Sequence, residues 1–145
     1  MKHLVIALVV SFAASSALAC SSLSQPTSEE LFAKANSVFR ARITEAKLAK
    51  FANPLRPGEQ VDVVEATFEV KEVFKGTPPG LVRDFPFGPG NCSLGLLPGV
   101  EYVFFPGENE FVLILSGSFA FVNAEGNDVK PRLEALRRQA SSGPR

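Results

Sequence analysis

Tryptophan is absent, tyrosine and methionine occur once each, and 145 residues hold two cysteines and one histidine. Each shortage removes a class of chemistry. The histidine is His3, inside an apolar leader. Once that leader is cleaved, no Ser-His-Asp or Cys-His machinery can be assembled and no imidazole is left to ligate a metal. The sequence also has no P-loop, no G-x-S-x-G and no CxxC. The carboxylates of Glu65, Glu69 and Glu72 fall in alternating or helix-like charge patterns, which read as solvated surface. The chain is therefore expected not to be an enzyme and to need neither a cofactor nor an intrinsic metal. An excess of charge is missing too, with 15 basic and 15 acidic residues. Without Lys2 the balance is 14 to 15, which gives nucleic acid or an anionic membrane no electrostatic footing. Beyond the leader, no apolar run is long enough to span a bilayer.

What is present begins with that leader. Lys2 and His3 precede an apolar run from Leu4 to Val10, and Ala17-Leu18-Ala19 closes it. A short positive start, an apolar middle and an A-x-A end mark residues 1–19 as a secretory signal peptide. The mature chain is then expected to start at Cys20 and to be secreted or periplasmic. Its 126 residues suit one domain, 20–140, followed by a frayed tail at 141–145.

"PTSEELFAKA" predicts a short helix, with Thr27 and Glu30 as a capping box and Leu31, Phe32 and Ala35 as its apolar side. "NSVFRARITEAKL" then switches to period two, placing Phe39, Ala41 and Ile43 on one strand face and Arg40, Arg42 and Thr44 on the other. "FANPLRPGEQ" reads as a loop. The next strand sets Val64, Ala66, Phe68 and Val70 against Glu65, Thr67, Glu69 and Lys71, and its beat slips at Glu72-Val73, where a bulge or bend is expected. "LVRDFPF" is a short third strand pushed to an edge by Pro86. "GPGNCSLGLLPG" is a loop carrying Cys92. "VEYVFF" and "FVLILSGSFAFV" read as the last strands, the central apolar run buried on both sides. "DVKPRLEALRRQ" predicts a helix packing through Leu133 and Leu136, with Arg137 and Arg138 near its C-terminal end. Strands punctuated by turns, with a helix at each end, predict a mainly β fold, a small closed or nearly closed barrel whose phenylalanines are core.

Cys20 and Cys92 are the two cysteines. In an exported chain they most simply form one disulfide. The mature Cys20, "LFAKANSVFRARI", "FEVKEVFKG" and "CSLGLLPGVEYVFF" together resemble the netrin-like, or tissue-inhibitor-of-metalloproteinase-like, domain family. The likeness runs in order along nearly the whole mature chain. It implies an OB-fold-like five-stranded Greek-key β-barrel with short flanking helices. Family members usually begin C-x-C with two bridges; here Ser22 and Ser116 stand at both positions of the second one, so it is missing as a pair.

The resemblance also implies a mechanism. The free α-amine and carbonyl oxygen of Cys20 would chelate the catalytic zinc of a metalloprotease, displacing the water that the metal activates. Ser21 would enter the substrate pocket, and Cys92 would clamp Cys20 in place. Two other readings stay open. The bridge can simply staple an extracytoplasmic interaction module. Alternatively, Cys20 can carry a lipoprotein's anchor, which consumes thiol and amine together and is the one route by which the chain would meet a membrane.

Overall fold

Thr27 starts the first helix, α1 (Ser28–Lys34), as the sequence predicts. Its hydroxyl accepts from the Glu30 N–H at 3.2 Å, while Glu30 Oε2 accepts from the Thr27 N–H at 2.8 Å. Lys75, far along the chain, closes the other end. Its ammonium donates to the Phe32 and Ala33 carbonyls, each at 2.8 Å, where a helix terminus leaves acceptors unpaired and partly negative. The computed structural model describes residues 26–53, 56–86 and 92–142. The expected leader and Cys20, Ser21 and Ser22 lie outside the described residues.

Five strands follow: β1 (Val38–Ala52), β2 (Gln60–Lys75), β3 (Val82–Asp84), β4 (Glu101–Phe104) and β5 (Phe119–Phe121). They form one antiparallel sheet in the order β3-β2-β1-β4-β5. A second helix, α2 (Lys130–Ser142), ends the described chain. The fold is thus mainly β with a helix on each side of the strands in sequence. The sheet is not closed: β3 and β5 are its edges. β3 instead touches the segment leading to β5 through an isolated parallel bridge, Arg83 to Phe111, with the Val112 N–H donating to the Arg83 carbonyl at 2.8 Å.

Period two decides which side chains meet. Phe39, Ala41 and Ile43 of β1 join Ala66, Tyr102 and Phe104 in one core, which Val82, Leu96 and Val112 complete. Val38, Val103 and Phe121 belong to a second core, built with Phe74 and Phe105 against Leu133 and Leu136 of α2. Leu31, Phe32 and Ala35 of α1 pack on its rim. The strand pair β1–β2 serves both cores because its register shifts. Lys71 and Phe74 have no partner in the ladder, which turns Phe74 into the second core. These extra residues flank Glu72-Val73, where the sequence pattern slips. Beyond β2, Gly76 adopts a φ of 62°, and a Cβ there would collide with the Asn36 carbonyl oxygen, so glycine is required.

Three expectations are corrected. The loop expected at 51–60 is shorter, because Phe51 and Gln60 continue the ladder and the Asn53 N–H still donates to the Glu59 carbonyl at 2.9 Å. Phe51 is held there by the Phe111 ring at 5.5 Å and by the Arg83 guanidinium at 4.9 Å. The apolar run "FVLIL" is not a doubly buried strand. It breaks into bridges at Phe111 and Leu113, then a 3-10 turn at Ile114–Ser116. Ser116 Oγ engages both the N–H and the carbonyl of Leu113, and Gly117 takes φ 97°, so local bonds replace a ladder. Finally, α2 reaches Ser142, so its last turn holds no basic residue, and Arg137 instead grips Glu72 of β2 with two bonds of 2.7 and 2.8 Å.

Glu101 offers a test of the packing between β1 and β4. It receives Arg40 at 2.7 Å and Arg42 at 2.9 Å. Burial opposes its ionisation, but the bonds from Arg40 and Arg42 outweigh this and hold its pKa below the ordinary carboxylate value. A lowered folded-state pKa gives stability that is present above the unfolded value, roughly 4.3, and is lost as pH falls through the folded one. Glu101→Gln is expected to cost about 1 kcal/mol at neutral pH, the size of a partly solvated network. Urea unfolding across pH should show that deficit fading below about pH 4.

Candidate functional site

Cys92, the described half of the expected bridge, lies on the loop between β3 and β4. Three anchors hold the described part of that loop that follows Cys92. The first is Asp84, the last residue of β3, which is fully buried. Its Oδ2 accepts from the Ser93 hydroxyl at 2.9 Å, the Leu94 N–H at 2.8 Å and the Gly95 N–H at 2.9 Å. Its Oδ1 accepts from the Phe85 N–H at 2.8 Å. Burial, the largest influence, pushes the Asp84 pKa above the ordinary value despite these donors. Four donors converging on one buried carboxyl make it a hub rather than a reactive acid, since every partner is structural.

The second anchor is Tyr102 on β4, the single tyrosine. Its hydroxyl donates to the Gly95 carbonyl at 2.8 Å and accepts from the Leu97 N–H at 2.9 Å, pinning the far end of the loop. Its ring stacks on Phe104 with centroids 5.2 Å apart. The third anchor is the turn before β5. Ser93 bridges to Leu113, and the Cys92 carbonyl accepts from the Ile114 N–H at 3.3 Å. Cys92 therefore sits beside the 3-10 turn that contains Ser116, although 24 residues separate the two in sequence. Ser116 is itself engaged: its hydroxyl donates to the Leu113 carbonyl at 2.7 Å and lies 3.3 Å from that of Ser118.

No family model matches the chain, and no curated protein matches it.

The site is presented on an apolar surface. Ile114 and Leu115, next to Cys92 through that hydrogen bond, are 54% and 42% exposed, and Leu97 is 60% exposed. These side chains contribute nothing to either core and are available for contact. Among the described residues, no group of three or more His, Cys, Asp or Glu side chains could hold a metal ion. No helix among them is long and apolar enough to cross a membrane. The carboxylates singled out in the sequence are spoken for: Glu65 meets Arg83 at 2.9 Å, Glu69 meets Lys71 at 2.7 Å and Glu72 meets Arg137.

Asp84 and the exposed Ile114-Leu115 pair are the site features that sequence reasoning missed. One signal for Asp84 is present, an acid alternating with Val82 in a strand whose neighbours are apolar. The signal for the turn is Ser116-Gly117, which can end a strand inside an apolar run.

Proposed function

We propose that the chain is an exported, non-enzymatic binding domain of the netrin-like type, and that its N-terminal Cys20 binds the zinc of a metalloprotease. One observation carries this reading: Cys92 and Ser116, the positions that the resemblance assigns to two clamps of the N-terminus, lie beside each other across the Cys92–Ile114 hydrogen bond. An N-terminus bridged to Cys92 would emerge next to Ile114 and Leu115, which supply apolar contact for a protease rim. The anchoring of residues 93–97 on Asp84 and Tyr102 favours such a role, because a preorganised ligand loses little conformational entropy on binding. The barrel reading is supported by the Arg83–Phe111 bridge between one sheet edge and the approach to the other, as in a partly open five-stranded OB-fold.

The chemistry needs a neutral α-amine at Cys20, whose ordinary pKa of about 8 lets zinc displace its proton near neutrality. Extending the mature N-terminus by one alanine moves that amine by a residue. Inhibition of a susceptible zinc protease is expected to fall at least about 100-fold, a loss of two tenfold steps in affinity, with thermal stability unchanged. Full inhibition by the extended protein would show that Cys20 is not the chelator.

A further inference from the structure

A second candidate site lies on the helix-covered face. Between α1, α2 and the start of β5 is a cleft of about 370 Å³, lined by Leu31, Phe105, Phe119, Ala135, Leu136 and Arg132 among others. Small-ligand sites run from roughly 300 to 1,000 Å³ and combine an apolar wall with a few polar groups. This cleft has that make-up, its one charged lining group among the described residues being Arg132.

Among the described arginines, Arg132 and Arg138 of α2 meet no carboxylate, and of these two it is Arg132 that lines the cleft. Arg40, Arg42, Arg56, Arg83 and Arg137 each meet a carboxylate. Arg132 stacks on the Phe119 ring, its guanidinium carbon 3.5 Å from the centroid, and forms no ion pair or hydrogen bond with any described residue. Stacking occupies the face of the guanidinium and leaves its N–H edge for another partner. Burial pushes its pKa down, and Asp128 acts on it through space without contact. A planar cation with five donors at the lip of an apolar cleft matches a carboxylate on an apolar body.

We propose that this cleft binds a small amphipathic carboxylate, its alkyl chain lying between α1 and α2 and its head on the free edge of Arg132. The inference is independent of the protease reading, since it uses neither Cys20 nor Cys92. Titration calorimetry of the full-length exported protein with octanoate, and with octan-1-ol as the neutral match, tests it. Octanoate is expected to bind saturably and one to one, with octan-1-ol about tenfold weaker, the worth of one lost charge-assisted contact. Arg132→Gln should weaken octanoate to the same degree, and Ala135→Trp, which fills the cleft, should abolish binding. Melting curves of both variants establish that each is folded. The proposal is overturned if octanoate does not saturate the native protein, including the case where residues upstream of Pro26 occupy the cleft. It is equally overturned if octan-1-ol binds as tightly, or if both folded variants bind like the native protein.

Discussion

Asp84→Ala is expected to destabilise the protein by about 3 kcal/mol, because it strands buried donors that water reaches poorly. The Leu94 and Phe85 N–H groups lose the partners given to them in the native structure. The Ser93 hydroxyl and the Gly95 N–H keep alternatives, the Phe85 carbonyl at 2.9 Å and Ser93 Oγ at 3.2 Å, so the loss is smaller than four full bonds. Urea unfolding measures it as a lower midpoint at unchanged slope. A midpoint within about 0.5 kcal/mol of the native one would mean that Asp84 does not anchor the loop.

Asp84→Asn separates shape from charge. The amide fits the same space but turns an N–H₂ toward donors, either Phe85 or the Ser93–Gly95 set, so a smaller loss is expected. The pH dependence distinguishes Asp84 from Glu101, a second carboxyl of the sheet. Glu101 has a lowered pKa, whereas burial raises that of Asp84. A raised folded-state pKa contributes stability that is complete below the unfolded value, roughly 3.9, and is lost as pH rises through the folded one. The native protein gives up that contribution on the way to neutrality, and Asp84→Asn, which cannot ionise, does not. The deficit of Asp84→Asn should therefore be larger at pH 3 than at pH 7, opposite in trend to Glu101→Gln.

The contrast between these residues also shows what the sequence makes legible. Thr27 and Glu30 are three residues apart, so the capping box is written locally and appears as predicted. Phe39, Ala41 and Ile43 declare their face by alternation, and Leu133 and Leu136 declare theirs by helical spacing; all five are buried. Asp84 is different. Its burial depends on donors ten residues on, held in place by a loop whose course no local pattern dictates. The same holds for "FVLIL", where hydrophobicity alone favours a strand and Ser116 and Gly117 decide for a turn. Period also fails to say whether a sheet closes: β3 is three residues long and its Arg83 bridges to Phe111, which lies ahead of β5 rather than in it, so the two edge strands do not pair. Cys92 is legible as a loop cysteine, but its placement beside Ser116 depends on the Ser93–Leu113 bridge.

Cys92→Ser is expected to have the largest effect, about 4 kcal/mol under oxidising conditions, if the proposed bridge to Cys20 closes its loop of about 73 residues. In the chain-entropy account the loss arises in the unfolded state, which regains the freedom that the bridge removes. The native contacts of Ser93, Leu94 and Gly95 should survive, since none of them uses the thiol. Reductant supplies the control. Reduced native protein and Cys92→Ser should unfold at the same urea concentration, well below that of the oxidised native protein. A bridge held at Cys92 also needs the loop on Asp84 to stay in place, so the two sites are neighbours and their effects should not add. With the bridge intact, Asp84→Ala frees a loop still tethered at one end. With the bridge gone, the same change frees both the loop and the chain terminus. The cost of Asp84→Ala should accordingly differ between the native and Cys92→Ser backgrounds. A lipid on Cys20 gives the opposite pattern throughout: no response to reductant, a small cost for Cys92→Ser, and simple additivity with Asp84→Ala. Protease inhibition follows the same division, because a lipidated amine cannot ligate zinc and an unclamped one must be ordered at the moment of binding.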